Sequence, residues 1–123
     1  EWSVTATVEH GDKRGRELGF PTANLHLPAS CRLAHGIYAV RASVGGKTHD
    51  AIASFGRRPT FDDGRPKLEV MLFDFAADLY GKDMQVAFVA WIRGEERFDS
   101  VEALISKMGR DCEVARQLLE ARP

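Results

Sequence analysis

The segment GIYAVRASVGGKTHDAIASF, residues 36 to 55, constrains the fold more than any other part of the chain. Its first half is rich in β-branched and aromatic residues, and Gly45-Gly46 separates it from a second run of similar length. A Gly-Gly pair between two such runs is typical of a tight hairpin turn. The segment therefore predicts two antiparallel strands, Gly36–Val44 and Lys47–Phe55.

Three further runs have strand patterns. Apolar and polar residues alternate from Trp2 to Val8, which predicts a half-buried strand. The runs KLEVMLFDF (Lys67–Phe75) and MQVAFVAWIR (Met84–Arg93) predict two more, and the residues near Leu25 form either a bridge or a sixth strand. Strands at these spacings are typical of antiparallel sheets and barrels.

The C-terminal part of the chain has a helical pattern instead. Apolar residues recur at helical spacing from Val101 to Leu119. Asp99, with Glu102 three residues later, has the form of a capping box, which predicts Asp99 as the N-cap. Gly109 interrupts the pattern, so we expect either a kinked helix or two consecutive helices, with Asp111 as the cap of the second.

The composition limits the class of protein. The 123 residues suit one domain (1–123), with strands from about 2 to 93 and a helical part from about 99 to 121. The net charge of −1 provides no basic field, so no nucleic-acid partner is expected. There is no run of about 18 apolar residues and no visible secretory signal, so we expect no membrane span and a cytoplasmic location. Cys31 and Cys112 lack a CxxC partner and are expected to be free thiols.

Two features that could indicate a phosphate site or a zinc site lack the residue spacing that such sites require. Gly46-Lys47-Thr48 matches the end of a phosphate-binding P-loop, but Arg41 stands where the first glycine is required, and a strand pattern follows instead of a helix. The four histidines show no spacing that suits zinc. The hairpin turn remains the prediction for this segment.

The segment HGDKRGRELGFPTAN, residues 10 to 24, combines cations, glycines and oxygen ligands. The cations are Lys13, Arg14 and Arg16. Glycines among them allow backbone amides to approach a polyphosphate closely. The Thr22 hydroxyl and the Asn24 carbonyl are hard oxygen ligands that suit Mg²⁺, and Pro21 stiffens the chain before them. These residues predict either a phosphate and metal site or a solvated loop, and composition leaves both open.

Glu69 lies among apolar neighbours in LEVMLFDF. Strand alternation places it on one face with Met71, Phe73 and Phe75, and the other face is apolar too. A carboxylate there is partly desolvated, so it either has a partner or holds its proton more tightly, and the second property suits a general base. The alternative is a glutamate at the rim of a barrel, solvated or paired with an arginine.

Taken together, these residues resemble the riboflavin kinase family over nearly the whole chain. The matching segments, in order, are GDKRGRELGFPTANL, HGIYAV, GRRPTF, LEVMLFDFAADLYG and IRGEERFDSVEALISKMGRDCEVAR. The resemblance implies a mainly β fold, a six-stranded antiparallel Greek-key β-barrel with a C-terminal helix or helices. It also implies transfer of the γ-phosphoryl group of ATP to the ribityl 5′-hydroxyl of riboflavin, giving FMN and ADP. In bacteria it further implies an N-terminal FMN adenylyltransferase domain, whose motifs are absent here, so we expect that half to be either trimmed or lost.

The resemblance assigns roles to individual residues. Thr22 and Asn24 match the family's metal–nucleotide ligands, with Mg²⁺ expected and Zn²⁺ or Mn²⁺ as alternatives. Glu69 matches the catalytic carboxylate, and Asn24 and Arg16 are expected to assist it by neutralising charge on the phosphoryl group. The expected ATP-binding residues are Gly11, Lys13, Arg14, Gly15, Arg16, Gly19, Pro21, Thr22 and Asn24. The expected flavin-side residues are Glu69, Arg93, Glu96 and Phe98.

The sequence also departs from the pattern of many bacterial relatives. The departures are Ser54-Phe55 in place of Asn-Ile, Met71 in place of His, Ala77 in place of Gly, and Ile92 in place of Leu. None of them touches the PTAN motif or Glu69. The alternative function is a β-barrel that binds flavin, nucleotide or oligonucleotide without catalysis, or a degenerate copy that binds both substrates without turnover.

Overall fold

The computed structural model describes residues 2–9, 23–27, 33–56, 67–73, 80–94 and 98–122. The strands and the helix, in chain order, are β1 (Trp2–Thr7), β2 (Ala23–His26), β3 (Gly36–Val44), β4 (Lys47–Gly56), β5 (Lys67–Leu72), β6 (Asp83–Arg93) and α1 (Val101–Glu120). The predicted sixth strand near Leu25 is therefore present as β2. The strand predicted to reach Phe75 ends at Leu72.

The six strands form one antiparallel sheet with the order β1-β6-β3-β4-β5-β2. β3, β4 and β5 follow one another as a meander, and β6 returns to lie beside β3, which is a Greek key. The sheet curls so that its two ends meet just after β1, where the amide of Glu9 donates to the carbonyl of Asn24 at 2.7 Å. We call this junction the seam. The predicted barrel with a C-terminal helix is confirmed.

The hairpin between β3 and β4 turns at Gly45 and Gly46, as predicted. Their φ angles are 60° and 80°, and a two-residue turn of this kind requires positive values at both positions. The pairing then runs without a shift from Val44–Lys47 to Gly36–Phe55. Because a strand follows Lys47, this segment has no helix N-terminus of the kind that a P-loop provides.

The interior of the barrel is filled by apolar side chains from alternate positions of the strands. The largest of those that are fully buried are Leu25, Val40, Phe55, Leu68, Val70, Met84 and Val86. Leu25 and Leu68 lie directly opposite each other in the β2–β5 pair, so their side chains point to the same side of the sheet. The polar residues that alternate with these buried ones along β2 and β5 must then point outward. The candidate site residues on these two strands therefore lie on the outside of the barrel.

α1 packs on the outer face of the sheet. One row of apolar residues runs across four strands there, because the register pairs Met71 with Ile52, Ile52 with Ala39, and Ala39 with Ala90. We call these four residues the helix row. They join the same apolar cluster as Ala115 and Leu119 of α1, so the helix covers this row.

The start of α1 differs from the prediction by one residue. The N-cap is Ser100, whose backbone is extended (φ −149°, ψ 160°) and whose hydroxyl accepts from the amide of Ala103 at 3.1 Å. The prediction of Asp99 was therefore wrong. Of the two alternatives left open for Gly109, two consecutive helices are excluded, because α1 continues through Gly109 and places Asp111 within the helix.

The C-terminal end of α1 is bound by a residue from the sheet. The last turn of the helix contains no basic residue. Arg41 of β3 instead donates to the carbonyl of Leu119 at 2.9 Å and to the carbonyl of Arg122. A cation at this position complements the negative end of the helix dipole. Within the part of the chain that the structure describes, no helix is long and apolar enough to cross a membrane.

Cys112 is a free, half-buried thiol on α1, as predicted. Burial raises the pKa of the Cys112 thiol, the charge of the neighbouring Asp111 raises it further, and Arg116 acts in the opposite direction. Cys31 lies outside the described residues.

Candidate functional site

Asn24 and Glu69 face each other across the β2–β5 pair. Leu68 and Val70, on either side of Glu69, are fully buried in the barrel, so Glu69 points to the outer face. Residues directly opposite in an antiparallel pair project to the same side, with Cβ atoms about 4.5–5.5 Å apart. The structure therefore brings together the predicted metal ligand and the predicted catalytic carboxylate, which are far apart in sequence.

Both polar side chains of this pair are shielded from water. Asn24 is only 6% exposed, and Glu69 is half-buried. Lys67, two residues before Glu69 on β5, places its Nζ 3.7 Å from Glu69 Oε1. The ammonium offsets part of the free-energy cost of shielding the carboxylate. Of the possibilities open for Glu69, the structure shows a carboxylate with a cationic partner, and among the described residues Lys67 is such a partner.

The register extends this pair into a longer row on the outer face. Glu69 lies opposite Ser54 of β4, Ser54 opposite Ile37 of β3, and Ile37 opposite Arg93 of β6. We call Asn24, Glu69, Ser54, Ile37 and Arg93 the site row. Neighbouring strands are about 4.8 Å apart, so about 14 Å of sheet separates Glu69 from Arg93. Asn24, predicted for the metal and nucleotide, and Arg93, predicted for the flavin, thus lie at opposite ends of one row, and Glu69 lies beside Asn24.

The site row runs beside the helix row. Two positions separate them on β5, β4 and β3, as from Glu69 to Met71 or from Ser54 to Ile52, and three positions separate them on β6. α1 covers the helix row, whereas Ser54 is exposed and Ile37 is half-buried. The helix therefore lies beside the part of the site row that crosses β4, β3 and β6.

Arg93 is fixed by several contacts at the far end of the site row. Its Nε lies 3.1 and 3.0 Å from the two carboxylate oxygens of Asp111, and its Nη2 donates to Asp111 Oδ2 at 2.7 Å. Its Nη1 donates to the carbonyl of Gly94 at 2.9 Å, and the guanidinium lies 5.9 Å from the centroid of the Phe98 ring. Asp111 is buried in α1, so its actual role is to bind Arg93, not to cap a helix. The structure thus places Arg93 next to Phe98, and their contact with a flavin remains a prediction.

An open cavity adjoins the other end of the row. It has a volume of about 320 Å³ and is lined by Thr7, Val8, Glu9, Tyr80 and Gly81. Glu9 is the residue whose amide binds Asn24 at the seam, so the cavity lies beyond Asn24 on the side away from Glu69.

Several predicted site residues lie outside the described residues. They are Gly11, Lys13, Arg14, Gly15, Arg16, Gly19, Pro21, Thr22 and Glu96. Their roles in binding ATP, metal or flavin remain predictions. Within the described ranges, no three His, Cys, Asp or Glu side chains are grouped so as to hold a metal ion.

Sequence reasoning missed three residues of the site. Ser54 and Ile37 connect Glu69 to Arg93, and Lys67 accompanies Glu69. For Ile37 and Ser54 a signal existed, because both lie on strands whose pairing is fixed by the Gly45-Gly46 turn. For Lys67, alternation along β5 already placed it on the same face as Glu69.

Known proteins show the same sequence pattern. The family model described as "Flavokinase: Riboflavin kinase" matches residues 1–119. A bifunctional riboflavin kinase/FMN adenylyltransferase of Escherichia coli K12 is 41% identical over 117 residues. That match covers 94% of this chain and 37% of the E. coli protein, so the chain spans little more than a third of this relative.

Two solved structures share the fold. Riboflavin kinase from Trypanosoma brucei has a TM-score of 0.74 at 22% identity, with 98% of this chain and 78% of that chain covered. A crystal structure described as a macrolide-efflux protein from Streptococcus pneumoniae has a TM-score of 0.83 at 39% identity, with 93% of this chain and 38% of that chain covered. Because the family match extends over all but the last few residues, this chain belongs to the riboflavin kinase family.

Proposed function

We propose that this domain transfers the γ-phosphoryl group of ATP to the 5′-hydroxyl of riboflavin, producing FMN and ADP. The observation that carries the proposal is the pairing of Asn24 with Glu69 on the outer face of the barrel. It places an oxygen ligand suited to a metal–phosphate complex beside a carboxylate suited to accept a proton from an alcohol. Membership of the riboflavin kinase family supports the same reaction.

The phosphate side of the reaction requires positioning and charge neutralisation more than covalent chemistry. The Asn24 side chain is buried, so its amide oxygen would be held in place as a ligand. A hard oxygen of this kind fits Mg²⁺, which takes one or two protein ligands and completes its shell with water and phosphate. We propose Thr22 as the second ligand, with Zn²⁺ or Mn²⁺ as alternative ions. When bound, the metal would offset the negative charge of the phosphates.

The acceptor side depends on Glu69. In the proposed mechanism its carboxylate binds the ribityl 5′-hydroxyl, orients the oxygen for in-line attack and accepts its proton. This requires a distance of about 2.6–3.2 Å between the two oxygens in the substrate complex. Lys67, whose Nζ lies 3.7 Å from this carboxylate, would limit the free-energy cost of shielding it while substrate is bound.

The two substrates are proposed to lie along the same outer face. Riboflavin would follow the site row, with its ribityl chain at Glu69 and its ring toward Arg93, Phe98 and Glu96. ATP would extend from Asn24 toward the cavity beside the seam, which has room for a base. Its phosphates would meet the loop of residues 11 to 19, with Lys13, Arg14 and Arg16 as counter-charges.

The wider setting is also a proposal. The E. coli relative carries riboflavin kinase and FMN adenylyltransferase in one protein. We infer that FMN made by this domain is used by an adenylyltransferase, in the same polypeptide or separate from it. A cytoplasmic location suits both ATP and this use.

The test is direct. The domain is incubated with ATP, Mg²⁺ and riboflavin, and FMN is followed by chromatography, with equal amounts of FMN and ADP expected. Glu69→Gln keeps the shape of the side chain but cannot accept the proton, so we expect turnover to fall by about 10²–10⁴-fold. Binding of riboflavin, followed by its fluorescence, should largely survive.

Glu113→Gln is the matched control, because Glu113 is an exposed carboxylate on α1 and is not one of the residues of the site row. Its turnover should equal that of the unaltered domain. A folded sample that forms no FMN would refute the proposed reaction and favour a barrel that binds without catalysis. FMN formation at full rate by Glu69→Gln would refute the role of this carboxylate.

A further inference from the structure

We infer that Ser54 is a substrate-positioning residue whose hydroxyl binds a secondary hydroxyl of the ribityl chain. This rests on the proposed function, since it requires the ribityl 5′-hydroxyl to lie at Glu69. Ser54 is one of the departures from the pattern of bacterial relatives, and its position is set by the pairing of β3, β4 and β5.

The register leaves Ser54 between the two parts of the proposed riboflavin site. It is the direct partner of Glu69 on one side and of Ile37 on the other. Its neighbours along β4, Ala53 and Phe55, are buried inside the barrel, so the Ser54 side chain points to the outer face. Ser54 is exposed there, beside the row that α1 covers.

The length of the ribityl chain matches the distance between neighbouring strands of the sheet. With C–C bonds of about 1.5 Å, an extended five-carbon chain spans about 5 Å, close to the 4.8 Å between neighbouring strands. A 5′-hydroxyl at Glu69 therefore places the secondary hydroxyls between Glu69 and Ser54, within reach of the Ser54 hydroxyl, and the ring begins just beyond Ser54, on the side of Ile37. Ile37 is half-buried and apolar, which suits a flat aromatic ring.

The chemistry of the side chain also matches. A serine hydroxyl both donates and accepts a hydrogen bond, and so does a secondary alcohol. At this position it would fix the direction in which the ribityl chain leaves Glu69, and so align the 5′-oxygen. Such a contact distinguishes riboflavin from a flavin that has the same ring but lacks the polyol.

The experiment compares Ser54→Ala with the unaltered domain in steady-state kinetics. We expect the KM for riboflavin to rise about 3–10-fold, the range for one neutral hydrogen bond, with the KM for ATP unchanged. Lumiflavin, which carries the ring without the ribityl chain, should inhibit both proteins with the same inhibition constant. Ser54→Thr keeps a hydroxyl and should restore most of the riboflavin affinity.

Ser3→Ala is the matched control, because Ser3 is an exposed strand serine on β1, which is not part of the site row. An unchanged riboflavin KM in Ser54→Ala would overturn the inference while leaving the kinase proposal intact. Equal weakening of riboflavin and lumiflavin would also overturn it, since the effect would then concern the ring. If the unaltered domain forms no FMN, the proposed function fails, and fluorescence titration of riboflavin against lumiflavin still decides the role of Ser54.

Discussion

Asp111→Ala is expected to destabilise the domain by about 3 kcal/mol, because it leaves the Arg93 guanidinium without its counter-charge. The change removes contacts of 3.1, 3.0 and 2.7 Å between Arg93 and a carboxylate that is 5% exposed. Removing one partner of a buried ion pair costs about 3–5 kcal/mol. The lower end applies here, because Arg93 is 16% exposed and keeps its bond to Gly94 and its position near Phe98.

The measurement is urea unfolding followed by circular dichroism. A lower midpoint with an unchanged slope would give the loss in free energy of unfolding directly. In a thermal scan the same loss corresponds to a fall of about 10 °C for a domain of this size. The control is Glu113→Ala, which removes an exposed carboxylate from the same helix and should change the free energy of unfolding by less than about 0.5 kcal/mol.

A second variant separates the two explanations for such a loss. If the uncompensated charge of Arg93 is the cause, replacing both partners with apolar residues (Arg93→Met with Asp111→Leu) should recover most of the stability. A double variant no more stable than Asp111→Ala would refute that explanation. A loss below about 1 kcal/mol in Asp111→Ala would show that the pair contributes no more than an exposed one.

Three further predictions concern the helix and the rim of the barrel. Ser100→Ala should lower the free energy of unfolding by about 1 kcal/mol and Asp99→Ala by only a few tenths, and equal effects in urea unfolding would contradict the N-cap assignment. Gly36→Ala should lower the free energy of unfolding by about 1–3 kcal/mol in the same assay, because a Cβ at Gly36 would lie 2.6 Å from the Trp91 ring and would also meet the carbonyl of Arg93. An unchanged urea midpoint would show that the surrounding chain relaxes to make room. Cys112 should react with iodoacetamide more slowly in the folded domain than in urea at pH 8.5, and its rate should keep rising at higher pH, because burial raises the pKa of the thiol. The folded state then binds the Cys112 thiol proton more tightly than the unfolded state does. The contribution of this proton to the free energy of unfolding is therefore full below the unfolded pKa and is lost as pH rises through the folded pKa. Equal rates of reaction with iodoacetamide in the folded and unfolded states would contradict the raised pKa.

The outer face of the barrel shows how far the sequence could predict the site. The Gly45-Gly46 turn fixes which residues of β3 and β4 oppose each other, so the pairing of Ile37 with Ser54 follows from counting back along both strands. The pairing of Ser54 with Glu69 does not follow in this way, because residues 57 to 66 separate β4 from β5 and no short turn sets their register. Alternation alone predicted correctly that Glu69 shares a face with Met71.

Long-range polar contacts left no signal in the sequence. An aspartate two residues after a glycine in a helical pattern also fits an N-cap, so the local sequence around Asp111 was ambiguous. Its pairing with Arg93 depends on α1 packing against the end of β6, which the local sequence does not show. Asp99 and Ser100 are both good N-cap residues, and the choice between them depends on which one has an extended backbone. The association of Asn24 with Glu69 was reached through the family resemblance, since residues on β2 and β5 share no local pattern.

The seam has a consequence for how this barrel responds to a ligand. Among the described residues, β1 and β2 meet at the isolated Glu9–Asn24 bridge, whereas each of the other neighbouring strands is joined by a ladder of at least four residue pairs. Local opening of the seam would separate Asn24 from Glu9. A nucleotide or metal held by Asn24 would bind the closed seam and not the opened one, so bound ligand would stabilise the closed seam by mass action. The Glu9 amide should therefore be more protected against hydrogen exchange when nucleotide is bound, so that exchange at this one amide reports binding.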